Sequence, residues 1–170
     1  MVAFQHDDGG RKAAGYKGSA GDCVTRAIAI AAELPYREVY DALAAGNAAQ
    51  RASFPIERGR FGFWRKSTAA KQERMSKSRT GVRTARNGIF TKRKWFKEYM
   101  ERLGFEWTPT MKIGSGCTVH LRPEELPKTG RLVLSLSGHL AAYIDGVLMD
   151  TEDCSRQGTR CVYGYWTIRE

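Results

Sequence analysis

Three residues in this chain have the types required for nucleophilic chemistry at a carbonyl: Cys23, His139 and Asp150. Cys23 closes the run Gly21-Asp22-Cys23 and stands at the head of a segment in which Val24, Ala27, Ile28, Ala31 and Leu34 recur at helical spacing. A thiol on the first turn of a helix faces unpaired amides and the positive end of the macrodipole, which favour the thiolate. His139 lies in Leu136-Ser137-Gly138-His139-Leu140, within an apolar, strand-like stretch. Its imidazole can accept and return a proton near neutral pH. The pair Asp145-Gly146 is a two-residue hairpin signal, and it sets Ile144 opposite Val147, Ala141 opposite Asp150 and His139 opposite Glu152. Side chains alternate along strands, so His139, Ala141, Asp150 and Glu152 share one face. Asp150 then lies diagonally across from His139, where a carboxylate would fix the imidazole tautomer. Glu152 is the competing orienter. Each residue alone also has an ordinary structural use: a small core thiol, a hydrogen-bonded strand histidine, a surface ion pair.

The elements that must position these groups can be read in order. Residues Asp7 to Asp22 are Gly-rich and predict a mobile N-terminal arm over 1–21. Asp22 has the type of an N-cap for the Cys23 helix, which Pro35 stops. Tyr36 to Ala45 predicts a short second helix closed at Gly46. Residues 51–90 mix Gly, Ser and Arg with scattered aromatics and predict a basic surface excursion. Thr91 would cap a helix over Lys92 to Leu103 that buries Trp95, Phe96, Tyr99, Met100 and Leu103. Arg131 to Ser137, Leu140 to Ile144, Val147 to Asp150 and Cys161 to Ile168 predict strands. Helices first and antiparallel strands last predict one α+β domain over 1–170.

This arrangement resembles the papain-like cysteine peptidase clan. The segment Asp22 to Ala31 (DCVTRAIAIA) is similar to the nucleophile helix of bacteriocin-processing peptidase domains. Gly138 to Gly146 (GHLAAYIDG) and Val147 to Arg156 (VLMDTEDCSR) resemble the histidine and acid strands of that clan, and the whole chain looks like small uncharacterised papain-fold proteins of bacteria and phages. The resemblance implies a papain-like fold and hydrolysis of a peptide, amide or isopeptide bond through an acyl-enzyme on Cys23. His139 would be the base and Asp150 its orienter, with no cofactor and no metal. The family pattern also places a Gln or Asn shortly before the cysteine to bind the oxyanion. Arg11 to Asp22 contains neither, so the second donor falls to Tyr16, Lys17, Ser19 or a loop elsewhere.

Bulk properties bound the alternatives. At 170 residues the chain can bury a core, and no apolar run is long enough to span a bilayer. Met1 to Gly10 lacks the features of a secretory signal, which predicts the cytoplasm of a bacterial or phage-infected cell. Reduced cysteines are then expected, with Cys154–Cys161 the least implausible disulfide. Cys117 and His120 with Cys154 and Cys161 form a possible zinc set with a wide second spacing, and Cys117–His120 is a conceivable second catalytic pair. The net charge of +10 is concentrated between Arg51 and Lys94, where 14 Lys/Arg meet two acids. Arg65, Lys66, Arg79, Arg83 and Arg86 with nearby aromatics could contact nucleic acid or an acidic protein surface. A non-catalytic papain-fold accessory or binding protein using this segment is therefore the competing class.

Overall fold

The computed structural model describes residues 1–18, 20–52, 85–86 and 88–168. In chain order the elements are β1 (Ala3–His6), α1 (Cys23–Ala32), α2 (Tyr36–Ala52), α3 (Lys94–Arg102), β2 (Phe105–Pro109), β3 (Arg131–Leu136), β4 (His139–Ile144), β5 (Val147–Asp150) and β6 (Val162–Ile168). Among the described residues the fold is thus α+β: three helices and one six-stranded sheet in the order β1-β5-β4-β3-β6-β2. None of these helices is long and apolar enough to cross a membrane.

Two tight hairpins build the centre of the sheet. Asp145 and Gly146 both have positive φ, 47° and 85°, as the type I′ turn requires, and they pair Ile144 with Val147. A second turn at Ser137-Gly138 pairs Leu136 with His139 and so places the histidine at the first position of β4. Both faces of this sheet are covered. On one face Val133, Leu140 and Trp166 pack with Val24, Ile28, Leu43, Phe96 and Met100 from the helices. On the other, Leu132, Leu134, Ala141, Tyr143 and Leu148 pack with Leu121, Leu126 and Val2. This double burial explains why β3 and β4 read as near-continuous apolar runs rather than alternating ones.

Helix α1 is oriented by its two ends. Glu33 takes a left-handed conformation after Ala32 and Pro35 follows, which stops the helix. Its last carbonyls are taken up by the sheet: Arg131 donates from Nε to Ala31 (2.7 Å) and from Nη2 to Ile30 (2.8 Å). The N-terminal end thereby points along the sheet toward the His139 end of β4.

Several expectations are corrected. The N-terminal segment holds an edge strand, β1, that runs parallel to β5 with Ala3 beside Val147 and His6 beside Asp150. Beyond it, Arg11 is buried and donates to the carbonyls of Gly18 (2.7 Å), Lys17 and Tyr16, folding the Gly-rich loop around itself. Helix α2 continues through Gly46 to Ala52. Glycine is required there because a Cβ would lie 2.4 Å from the Trp95 ring of α3. Helix α3 starts after Arg93, which has extended backbone, rather than at a Thr91 cap. The cysteines, expected reduced, are not all so: Cys161 is disulfide-bonded to Cys117, and Cys154 is free. Val162 N–H donates to Val119 and Leu121 N–H to Arg160, so the 117–121 segment lies alongside the start of β6 and brings the two Cα atoms to 5.8 Å.

Candidate functional site

Cys23 is the first residue of α1, His139 the first of β4 and Asp150 the last of β5. Because α1 packs on β4, the three side chains meet at one end of the sheet. The His139 ring lies beside the Cys23 thiol, near enough to act on its ionisation, and its Nε2 lies 2.5 Å from Oδ2 of Asp150. Asp150 is buried, and its other oxygen, Oδ1, accepts from the Thr151 amide at 2.7 Å and from Arg26 Nη2 at 3.3 Å. One carboxylate oxygen is thus reserved for the imidazole while the other is held by the chain and by a guanidinium.

The electrostatics follow from this geometry. Burial pushes the Cys23 thiol up, but the hydrogen bond and charge of His139, a hydrogen bond from the Leu140 backbone and the charge of Arg26 together bring it below its ordinary value. Burial pulls His139 down, whereas the hydrogen bond to Asp150 and the neighbouring Cys154 and Cys23 thiols push it up to about 11. Burial also raises Asp150, and the hydrogen bond and charge of His139, the Thr151 amide and Arg26 outweigh it and hold the carboxyl low. All three shifts run in the direction that favours a thiolate–imidazolium pair backed by an ionised carboxylate.

Behind these three groups stands an ionic brace not anticipated from sequence. Asp22 is fully buried and makes no side-chain cap to α1. Its carboxylate instead accepts from Arg26 Nη1 and from the Tyr36 hydroxyl, and pairs with Arg11 Nε at 3.0 Å. Arg26 therefore bridges two carboxylates, Asp22 at the root of α1 and Asp150 beside the histidine. The Asp22–Arg26 spacing of i,i+4 was a visible signal for the first contact. Nothing local pointed to the second, which joins residues 124 positions apart.

The remaining expected site residues fall as follows. Glu152 is exposed at the rim of the cleft, where the chain bends away after β5, and Asp150 is the acid bonded to His139. Tyr16 packs its ring edge-on against Tyr36 and tilted against Tyr40, at 5.0 and 5.1 Å, and also lines the cleft. Lys17 is exposed there, with its carbonyl taken by Arg11. Ser19 lies outside the described residues, as do Arg65, Lys66, Arg79 and Arg83. Arg86 is exposed in a turn next to Ala85, whose carbonyl accepts from Thr25 of α1. The zinc set is not assembled: Cys117 and Cys161 are bonded to each other, His120 pairs with Glu125 at 3.1 Å, and Cys154 lies beside His139. The same disulfide removes Cys117 as a nucleophile for His120.

Cys23 and His139 open onto a cleft of about 1560 Å³. Its walls come from Tyr16 to Gly18 with Ala20 and Gly21 of the N-terminal loop, the segment Gly88 to Lys92, the Ser137-Gly138 turn and the loop after β5. Cys154, in that last loop, was missed as a site residue because it follows β5 with no periodic pattern to orient it. Compared with known protein families, with curated proteins and with solved structures, the chain matches none.

Proposed function

We propose that this protein is a cysteine-dependent hydrolase of papain-like architecture, acting on an amide, isopeptide or thioester carbonyl through an acyl-enzyme on Cys23. The observation that carries this reading is the chain of contacts from a helix-start thiol to an imidazole and on to a buried carboxylate at 2.5 Å. The Cys23 thiolate adds to the carbonyl carbon, and the developing oxyanion is met by first-turn amides of α1, which lack intrahelical acceptors. His139, protonated in the resting pair, gives its proton to the leaving nitrogen or sulfur as that bond breaks. It then takes a proton from the water that attacks the acyl-enzyme, and the thiolate departs. Asp150 keeps the ring oriented and stabilises its cationic form without itself taking the proton. The cleft is large enough for an extended peptide segment or a conjugated side chain, and Cys23 lies in its wall.

The disulfide leaves two free thiols, Cys23 and Cys154, which simplifies the test. Iodoacetamide labelling at pH 6, read by mass spectrometry, is expected to modify Cys23 at least about tenfold faster than Cys154, since the thiolate is the reacting form. His139→Ala should slow Cys23 labelling by a similar factor. Labelling of Cys23 no faster than Cys154, or indifferent to His139, overturns the hydrolase reading.

A further inference from the structure

Cys154 takes no part in the reaction above, yet it is held in the middle of the site. It is half-buried in the turn after β5 and lies beside the His139 ring. A ligand atom from each of Cys154, His139 and Asp150 lies within 4.8 Å of the other two. Thiol sulfur, imidazole nitrogen and carboxylate oxygen are together the donor set of a borderline divalent cation such as zinc. With metal–ligand bonds of about 2.0–2.3 Å, donors around a tetrahedral centre stand roughly 3.3–3.8 Å apart. The widest separation therefore needs to close by only about an ångström, while His139 Nε2 and Asp150 Oδ2, now 2.5 Å apart, open by about the same amount to admit the cation between them. Asp150 is supported as a ligand should be: Thr151 N–H and Arg26 hold Oδ1, and this fixes Oδ2 toward the histidine. Three protein donors with a fourth position toward a cleft also leave room for water or a substrate group.

We propose that Cys154, His139 and Asp150 form a binding site for a zinc-class divalent cation, and that its occupation switches off Cys23. On binding, the Cys154 thiol proton and the proton shared by His139 and Asp150 pass to solvent, and the metal takes their places. The imidazole and carboxylate then serve the cation, and His139 can no longer pass a proton to or from the groups reacting at Cys23. The binding site stands on its own geometry; only the inhibitory consequence rests on the hydrolase reading.

The test uses the full chain with its Cys117–Cys161 disulfide intact and Co²⁺ as the probe, because thiolate-bound Co²⁺ gives a near-ultraviolet charge-transfer band and tetrahedral Co²⁺ a strong visible one. Wild type should show both bands, and added Zn²⁺ should displace them. Cys154→Ser, checked for native circular dichroism, should weaken cobalt binding by at least about tenfold, the scale set by loss of a metal-site partner. Saturating Zn²⁺ should slow alkylation of Cys23 about as much as His139→Ala does. Absence of a thiolate–cobalt band in wild type overturns the proposal. So does a band that survives in Cys154→Ser, which would put the cation on Cys23. If Cys23 is inert to alkylation but a Cys154-dependent band forms, the metal site stands and the hydrolase reading falls. His139-dependent labelling of Cys23 with no cobalt band gives the reverse.

Discussion

Replacing Arg26 by Met tests whether the ionic brace holds the site together. Arg26 is buried, and one fork of its guanidinium meets Asp22 while the other meets Asp150, both themselves buried. Met fills much of the same volume but leaves each carboxylate short of a cation. Removing one partner of a buried pair typically costs about 3–5 kcal/mol, because the charge left behind is uncompensated. Here Asp22 keeps Arg11 and the Tyr36 hydroxyl, and Asp150 keeps His139 and the Thr151 amide. The low end, about 3 kcal/mol, is therefore expected, a large part of the roughly 5–15 kcal/mol available to a domain. For a chain of this length that is roughly 6–12 °C in Tm. Arg26→Lys keeps the charge but not the planar fork that spans two acceptors, and it should recover only part of the loss. Thermal and urea unfolding followed by circular dichroism measure the stability, and iodoacetamide labelling of Cys23 reports the site. A variant within about 1 kcal/mol of wild type, with unchanged Cys23 labelling, would refute the claim that this network positions Asp150.

Two further outcomes follow from the same structure. His139 is raised to about 11 in the folded state and sits near 6.5 when unfolded, so its contribution is complete below about pH 6.5 and is lost as pH climbs toward 11. Cys23 is lowered, so its contribution is complete above the unfolded thiol value near 8.5. From pH 9 to 11, urea unfolding should therefore show wild type losing stability faster than His139→Ala, and parallel curves would count against the coupled pair. Gly46→Ala should destabilise, by roughly 1–3 kcal/mol, since the new Cβ would lie 2.4 Å from Trp95. An exposed helical glycine would respond in the opposite direction, because alanine favours helix by about 1 kcal/mol. A rise in Tm for this variant would show that α2 and α3 do not meet as described.

Much of the site was legible because it depends on short-range rules. The Asp-Gly pair demanded a tight turn with two positive φ values, and once that turn was placed, a period of two put Asp150 on the His139 face. The ladder begins as that register requires, with Ile144 opposite Val147 and Ala142 opposite Met149. The apolar spacing after Asp22 likewise set a helix starting at Cys23. Errors came where a local signal served a distant partner. Gly46 carried the mark of a helix stop but is small to admit Trp95, and Asp22 carried the mark of a cap but is a buried counter-ion. Edge strands β1 and β2 are short and mostly exposed, so neither has the apolar pattern that announces a strand.

Local sequence therefore determined the helix that starts at Cys23, the Asp145-Gly146 hairpin and the face on which histidine and acid lie, since helix and strand periods are set by backbone sterics within a few residues. Tertiary structure decided which carboxylate meets His139, because the chain bends away after Asp150 and leaves Glu152 at the rim. It also decided the Cys117–Cys161 pairing, the approach of Cys154 to the site and the bridge from Asp22 through Arg26 to Asp150. These are contacts between side chains on separate elements. Their partners are chosen by how the helices and loops pack on the sheet and by the cost of burying an unpaired charge, and neither is written in any local run of residues.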